Sequence, residues 1–391
     1  MIDPRVESGK TFDVIIIGAG SIGTPAAYFF SRAGFKTLVV DAESSPGQRS
    51  NKRAIGGIRA THSDPAKISI CQRSIDIFSH WKELTGDDIE WFQGGYCFVA
   101  YRGQEETSLK NLLTEQKKFG LNIDWFDRDQ FLEIVPDLNP EGLLGGTFSP
   151  EDGNASPLLA ILSFYRRSLS YGATYRFREQ VTGFITEVEN IKGIITTSGK
   201  YFAPTVILAA GGDSRELGTL LNVDIPVYPD SHEAAITEPV QRFFKPMIVD
   251  IRPKEDSSNF YFYQHYTGQV VFCITPHPNI WGTDTRETSD FLPMVSRRLL
   301  EVMPRLHHLR VRRTWRGLYP MTPDGFPLVG TVPGNRGLIL ATGMCGQGFM
   351  LGPGTGELLV RLVSGNLNES DDYILEKFNP TRKFQSQEIL K

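Results

Sequence analysis

Six residues near the start of the chain, Gly18-Ala19-Gly20-Ser21-Ile22-Gly23, carry three glycines at the spacing that binds a pyrophosphate. The first allows a tight turn, the second lets phosphate oxygens approach the backbone, and the third lets a helix pack closely on a strand. Unpaired N–H groups at the helix start, with their partial positive charge, favour the anion. Asp41 stands 18 residues beyond Gly23, where a carboxylate accepts hydrogen bonds from an adenosine ribose and repels a 2′-phosphate. A second glycine run, Gly343, Gly346 and Gly348, lies near the other end of the chain. It predicts a backbone nest suited to an electron-rich ring edge, such as the pyrimidine end of a reduced flavin. The first motif alone fits NAD or FAD; a simple NAD enzyme has no use for the second.

The elements around these motifs fit the task. Residues 12–17 form a short β-branched run typical of a buried parallel strand, and residues 24–33 read as a helix. Residues 36–40 supply the second strand, which completes a β-α-β unit. A polar, glycine-containing loop follows over 44–60, then a helix over 65–84 with Ile68, Cys71, Ile75 and Phe78 on one face. Further expectations are a strand over 96–101, a polar helix over 105–119 and a helix over 157–171. Strands are expected over 181–187 and 191–197, with a buried run over 205–210 suited to returning beside the first strand. Residues 231–315 read differently. Short strands over 233–237, 247–251, 260–266 and 269–275 suggest an antiparallel sheet with a tight Thr267-Gly268 turn. An apolar strand over 337–341 then leads through a glycine-rich loop to a helix over 357–363.

Composition narrows the class. The 391 residues carry a net charge of −4, which speaks against a general nucleic-acid binder. No apolar run approaches the roughly 18 residues of a membrane span. The first ten residues lack the basic-then-apolar order of a signal peptide. Four separated cysteines form no CxxC pair, so neither disulfides nor a zinc site is indicated, and no metal is expected. A cytoplasmic location is the expectation. Eighteen of the 38 glycines fall in residues 18–57 and 317–356, so the glycine excess has two addresses.

Three pieces carry a family resemblance: residues 13–41, the loop Arg53-Ala-Ile-Gly-Gly-Ile-Arg59, and residues 317–330 leading into 343–356. Together the sequence resembles the D-amino-acid oxidase superfamily, on the branch of sarcosine oxidase and glycine oxidase. Its style is that of the β subunits of hetero-oligomeric sarcosine oxidase and L-proline dehydrogenase. The resemblance implies α/β plus α+β architecture: a Rossmann-like FAD-binding domain (the glutathione-reductase-like, DAO type) with an inserted antiparallel-sheet substrate domain. The FAD-binding domain is expected from 11–90, 151–230 and 316–385, and the substrate domain from 91–150 and 231–315. FAD would be extended and non-covalent, its ring between the 50–59 and 343–350 loops, with the inserted sheet roofing the substrate cavity.

The resemblance assigns cofactor contacts to Gly18, Gly20, Ser21, Ile22, Gly23, Asp41, Ala42, Arg49 and Ser50. Gly56, Gly57, Ile58, Val181, Ala210, Gly211 and Gly317 follow, then Gly343, Gly346, Gln347, Gly348, Phe349 and Met350. Arg59 resembles the arginine that grips the substrate carboxylate in sarcosine oxidase; an ion pair or flavin contact is its alternative. Tyr261, Tyr263 and His265 alternate and so share a strand face; turned into the cavity, its aromatic walls would suit an amine and His265 would relay a proton, and a solvated or core face is the alternative. Tyr319 stands where glycine oxidase has a carboxylate-binding arginine; its hydroxyl would hydrogen-bond the substrate, with structural packing as the alternative. Departures matter too. Gly317 replaces the flavin-linking cysteine of monomeric sarcosine oxidase, Met350 replaces a lysine partner, and residues 269–275 lack its oxygen-activating lysine. Cys345 reads as a small packing residue.

The activity implied is oxidation of a small amine or amino acid, sarcosine-, proline- or glycine-like, with hydride leaving the α-carbon to give an imine. Oxygen or an electron-carrier subunit would be the acceptor, and a hetero-oligomer is possible. Oxidation of a 2-hydroxy acid or glycerol phosphate, or a non-catalytic FAD-carrying subunit, are the competing readings.

Overall fold

The computed structural model describes residues 10–385 and 387–390 and divides the chain into two compact units. Residues 1–9, on which the signal-peptide expectation falls, lie outside the described residues.

The first unit comprises the chain up to Lys52, Pro157–Tyr228 and Pro320–Gln387. Its centre is a parallel sheet ordered Asn335–Thr342, Thr205–Leu208, Val14–Ile17, Thr37–Asp41 and Thr174–Phe177. Four of these strands read as near-continuous apolar runs because the strands at the centre of the sheet are buried. The expected return of the 205–210 run is observed, with Thr205 opposite Val14 and Leu208 opposite Ile17. An antiparallel meander of Val181–Glu187, Asn190–Thr196 and Gly199–Phe202 extends one side. The helix Gly23–Arg32 packs against Pro157–Ser170 and against Gly348–Ser364. The last of these begins nine residues earlier than the 357–363 expectation. Its glycines read as loop locally, yet they are what close packing requires: a Cβ at Gly352 would stand 2.1 Å from the Ser21 carbonyl oxygen.

The second unit comprises Arg53–Ser156, Pro229–Tyr319 and the segment from Glu388. The boundaries differ from those expected, because residues 53–90 and 151–156 fall here. Gly57–Ile58 pairs with Gly153–Asn154, and Asp152 binds the backbone of Ala60, so the two segments stay together. Its sheet runs in the order Val311–Met321, Tyr228–Pro239, Gln269–Pro276, Ser257–Gln264, Met247–Asp250, Tyr96–Ala100, Gly145–Ser149, Asp124–Asp127. All recorded pairings are antiparallel except Met247–Asp250 with Tyr96–Ala100. The strand expected over 233–237 is twelve residues long, Tyr228–Pro239. The expected 65–84 helix breaks at His80 into Pro65–Ser79 and Trp81–Thr85.

Side-chain alternation splits this sheet into two apolar faces. Phe260, Phe262 and Phe272 pack with Phe291, Val295 and Leu299 of the helix Phe291–Val302. The other face gathers Tyr96, Phe98, Met247, Val249 and Tyr263, with Tyr261 and Trp315 beside them.

A buried ionic network ties the sheet to that helix. Asp250 receives Nε and Nη2 of Arg252 at 2.9 and 2.8 Å, and the Arg298 guanidinium, 1% exposed, stands 3.1 Å away. Burial alone would raise the Asp250 pKa, but the hydrogen bonds from Arg252 and the charge of Arg298 hold it below the usual carboxylate range. A depressed folded-state pKa adds stability above the unfolded value, about 3.9, and loses it as pH falls through the folded value. Asp250→Asn is therefore expected to lower unfolding free energy by about 3–5 kcal/mol at neutral pH, since Arg298 is left buried without its charge partner. Melting curves from pH 7 to pH 3 check both parts: the gap between the two proteins narrows toward acid.

Candidate functional site

The first unit holds a cradle built by backbone. Gly18 has φ +105°, and a Cβ there would stand 2.5 Å from the Ala209 carbonyl oxygen. A Cβ at Gly23 would stand 1.8 Å from the Gly18 carbonyl oxygen. These two glycines are required by the protein's own packing. Gly20 is different: a Cβ there meets nothing within 4 Å. The space over Gly20 is open, as a close-approaching phosphate requires. Ile22 makes no side-chain cap to the helix Gly23–Arg32, and its first turn carries no acidic residue. Asp41 is fixed by accepting the Ala19 N–H at 2.6 Å and the Glu43 N–H at 2.7 Å. Burial raises its pKa, and the Glu43 charge adds to the rise. Ala42 follows it directly, and Arg49 pairs with Glu43 and approaches Asp213 at 3.7 Å.

Ser21 donates to Asn51 Oδ1 at 2.8 Å, which ties the glycine loop to the turn Asn51–Arg53 just after Ser50. On the other side of the loop, Gly211 has φ +56° and opens the turn Gly211–Asp213 after Ala210. Thr342 holds that turn through Ser214 Oγ at 2.6 Å and the Gly211 carbonyl at 3.2 Å. Val181 is buried among the aliphatic side chains beside the parallel sheet.

The second glycine run converges on the first. The strand Asn335–Thr342 ends at Gly343 (φ +68°) and Gly346 (φ +80°), and Gln347 begins the helix Gly348–Ser364 without a side-chain cap. Phe349 and Met350 are buried in its first turn. A Cβ at Gly348 would stand 3.8 Å from the Ser21 Cβ, so two helix starts meet at Ser21. Cys345 takes φ +49°, its N–H donates to the Pro320 carbonyl at 3.1 Å, and its thiol lies between Gly343 and Thr322. That is the packing role expected of it.

In the second unit, the loop after Arg53 is crowded. A Cβ at Gly57 would stand 2.0 Å from the Tyr96 hydroxyl, and one at Gly317 would stand 3.0 Å from the Arg53 side chain. Gly56 accepts from Ala155, and Ile58 is fully buried. Arg59 is 6% exposed and its fork is engaged within this unit. It donates to the Thr61 carbonyl, to the Leu390 carbonyl at 2.5 Å, and lies 3.2 Å from His62 Nδ1. These acceptors, which include none of the ion-pair partners considered as its alternative, are all neutral. Nearby, Glu388 accepts the Ser63 N–H at 3.1 Å and stands 3.5 Å from the fully buried Lys67 ammonium. Asp152 accepts Ala60 N–H and Thr61 Oγ1, and burial pushes its pKa up to about 6.

The alternating triplet is only partly realised. Tyr261 and Tyr263 share a face, but the strand Ser257–Gln264 ends before His265. His265 lies in the hairpin turn, bonded to Thr267 at 2.6 Å, with Glu90 3.7 Å away. The Tyr263 hydroxyl donates to the Ile55 carbonyl at 2.6 Å. Tyr261 instead shares a short hydroxyl–hydroxyl hydrogen bond with Tyr319, and Cys273 lies beside both. Burial holds both phenols well above their ordinary pKa, so they stay neutral. The Tyr319 ring stacks on His232 at 3.8 Å with an 18° tilt. His232, in turn, is bonded to Asp230 at 3.0 Å. Neither His232 nor Asp230 belongs to a sequence motif; only the full length of Tyr228–Pro239 places them two apart on one face.

The family described as FAD dependent oxidoreductase (DAO) matches residues 13–362, and the chain belongs to it. It is an FAD-dependent oxidoreductase of this family. Glycine oxidase from Bacillus licheniformis is 24% identical over 382 residues, covering 96% of this chain and 98% of the relative. Sarcosine oxidase subunit beta from Arthrobacter sp is 25% identical, covering 92% and 89%. The crystal structure of L-proline dehydrogenase from P. horikoshii superimposes with a TM-score of 0.89 at 28% identity, over 96% of this chain and 98% of that one. Among the described residues no helix is long and apolar enough to cross a membrane.

The contrast between glycines gives a test of the cradle. Gly20→Ala is expected to fold with an unchanged melting profile as apoprotein but to lose at least tenfold in FAD affinity, read by flavin fluorescence titration. Gly23→Ala is expected to fail at the folding step, seen as insoluble or strongly destabilised protein.

Proposed function

We propose that this chain oxidises a small secondary or N-alkyl amino acid at the carbon bearing the amine. The reading is supported by the activities of its relatives and by one structural observation: a buried, neutral tyrosine pair, Tyr261–Tyr319, on an aromatic face. FAD would be held by the cradle of Gly18, Gly20, Ser21, Gly23 and Asp41 and by the Gly343–Gly348 nest, and it supplies the acceptor for two electrons and the α-hydrogen.

The protein's own part is orientation and proton control. Two phenol hydroxyls bonded to one another use one proton in their own contact, and the second, which faces Cys273, is the one a substrate oxygen would compete for. That donor orients a substrate oxygen without adding charge. Aromatic rings suit the amine, which they attract through their π faces when it is charged. The substrate is oxidised to an imine, which water then hydrolyses. Arg59, engaged by Leu390 and Thr61, serves the shape of the second unit in this reading and leaves substrate orientation to the tyrosines.

Anaerobic addition of sarcosine, L-proline, glycine and a D-amino acid is expected to bleach the flavin with at least one, most strongly with a secondary amino acid. Bleaching by glycolate or glycerol 3-phosphate alone sinks the amine reading, and bleaching by none of them leaves a non-catalytic FAD carrier. Readmission of oxygen then separates an oxidase, which reoxidises at once, from a dehydrogenase that needs a carrier protein. Tyr319→Phe should slow the bleaching by about tenfold, the value of roughly one hydrogen bond to substrate.

A further inference from the structure

His232 carries a role that no motif announces. It is 4% exposed, and its Nε2 lies 3.0 Å from Asp230 Oδ2. Asp230 is itself fully buried and also accepts Asn279 Nδ2 at 2.6 Å and the Ile280 N–H at 2.8 Å. Burial would raise the Asp230 pKa, but the hydrogen bond and charge of His232, with the hydrogen bond from Asn279, hold it below the ordinary range. An ionised carboxylate accepts only, so Nε2 carries a proton, and in the neutral ring Nδ1 presents a lone pair. That Nδ1 has no hydrogen-bond partner, although it is buried. A buried polar atom without a partner is costly, and such atoms in folded proteins call for an explanation. Here the ring is also clamped by its stack on Tyr319, whose hydroxyl joins Tyr261.

We propose that His232 Nδ1 is the base that takes the ammonium proton from the substrate. This rests on the amine reading above. A protonated amine has no electron pair with which to form a C=N bond, so it must lose a proton before its α-carbon is oxidised. In the step, the substrate N–H bond breaks and a bond to Nδ1 forms. The electron pair stays on the substrate nitrogen, and the imidazolium is stabilised by the Asp230 carboxylate. An acid group that fixes the tautomer while the opposite nitrogen does the work is the arrangement by which a carboxylate–histidine pair becomes a directed base.

The surrounding groups leave this step to the histidine. On its own strand Asp230 stays ionised. Tyr319, Tyr261 and Cys273, from the three neighbouring strands, are all held neutral by burial. Glu233 and Arg316 are out of phase with His232 and Tyr319 along their strands and point to the opposite face. His265, to which the alternation first assigned the proton relay, belongs to the hairpin turn instead.

The test uses the FAD-loaded protein and two readouts. In protein labelled with ¹⁵N-histidine, the resonance lost in His232→Gln should show a proton on Nε2 and none on Nδ1 at pH 8. A proton on Nδ1 there overturns the proposal, whatever the activity. With an amine that bleaches the wild type, His232→Gln should retain its flavin spectrum and melting profile but reduce about 100-fold more slowly or worse. Its loss of rate toward acid pH should disappear, and added imidazole should restore part of the rate. Asp230→Asn, which keeps the ring, should shift the same acid limb. An unchanged rate and pH profile in His232→Gln overturns the base while leaving the amine reading intact. A wild-type protein that no amine bleaches overturns both, and is recognised without any variant.

Discussion

The first unit depends on a backbone approach that only glycine permits. The Gly18 peptide lies against Ala209 of the returning strand, and Gly23 lies against Gly18 at the start of the following helix. No side chain fits at either contact, so strand, turn and helix lock together before any ligand arrives. That lock fixes the helix start relative to Asp41, and it leaves Gly20 facing open space. The second helix is held to the first by the same means, with Gly352 against the Ser21 carbonyl. Two helix starts thereby meet at Ser21, and the positive ends of their dipoles favour an anionic group there.

The second unit follows another logic. Its sheet is covered on one face by helices over a phenylalanine core, while the other face collects tyrosines, a tryptophan and the histidine stack. Several buried charges have a charged or ionisable partner: Asp250 with Arg252 and Arg298, Glu388 with Lys67, Asp230 with His232. The Arg59 guanidinium has neutral hydrogen-bond acceptors, while its charge lowers the pKa of the nearby Asp152 and Glu388 carboxyls. A residue type suited to gripping a carboxylate here binds the Thr61 and Leu390 carbonyls.

Local sequence hides the full length of two elements for one reason. Glycine and proline are poor helix formers, so local propensity does not reveal the first turns of Gly348–Ser364, yet packing against Gly23–Arg32 selects small residues. In the strand Tyr228–Pro239, Asp230, Ser231 and His232 look like turn or loop residues locally. Tertiary hydrogen bonds from Asn279 and Ile280 are what make them strand residues. His265 was placed on a strand by simple alternation, which cannot see that the chain reverses at Gly268.

The sequence by itself determined the β-α-β cradle and the FAD-dependent family. The cradle is written within a short window by glycine spacing and strand periodicity, and the second glycine run with the family motifs narrows the cofactor to FAD. Tertiary structure alone decided what Arg59 touches, which histidine stands beside the tyrosines, and where the two units divide. Those outcomes depend on partners far away in the chain, such as Leu390 for Arg59 and Tyr319 for His232. A contact between residues separated by 87 to 331 positions leaves no periodic trace along the sequence, so only the folded chain contains it.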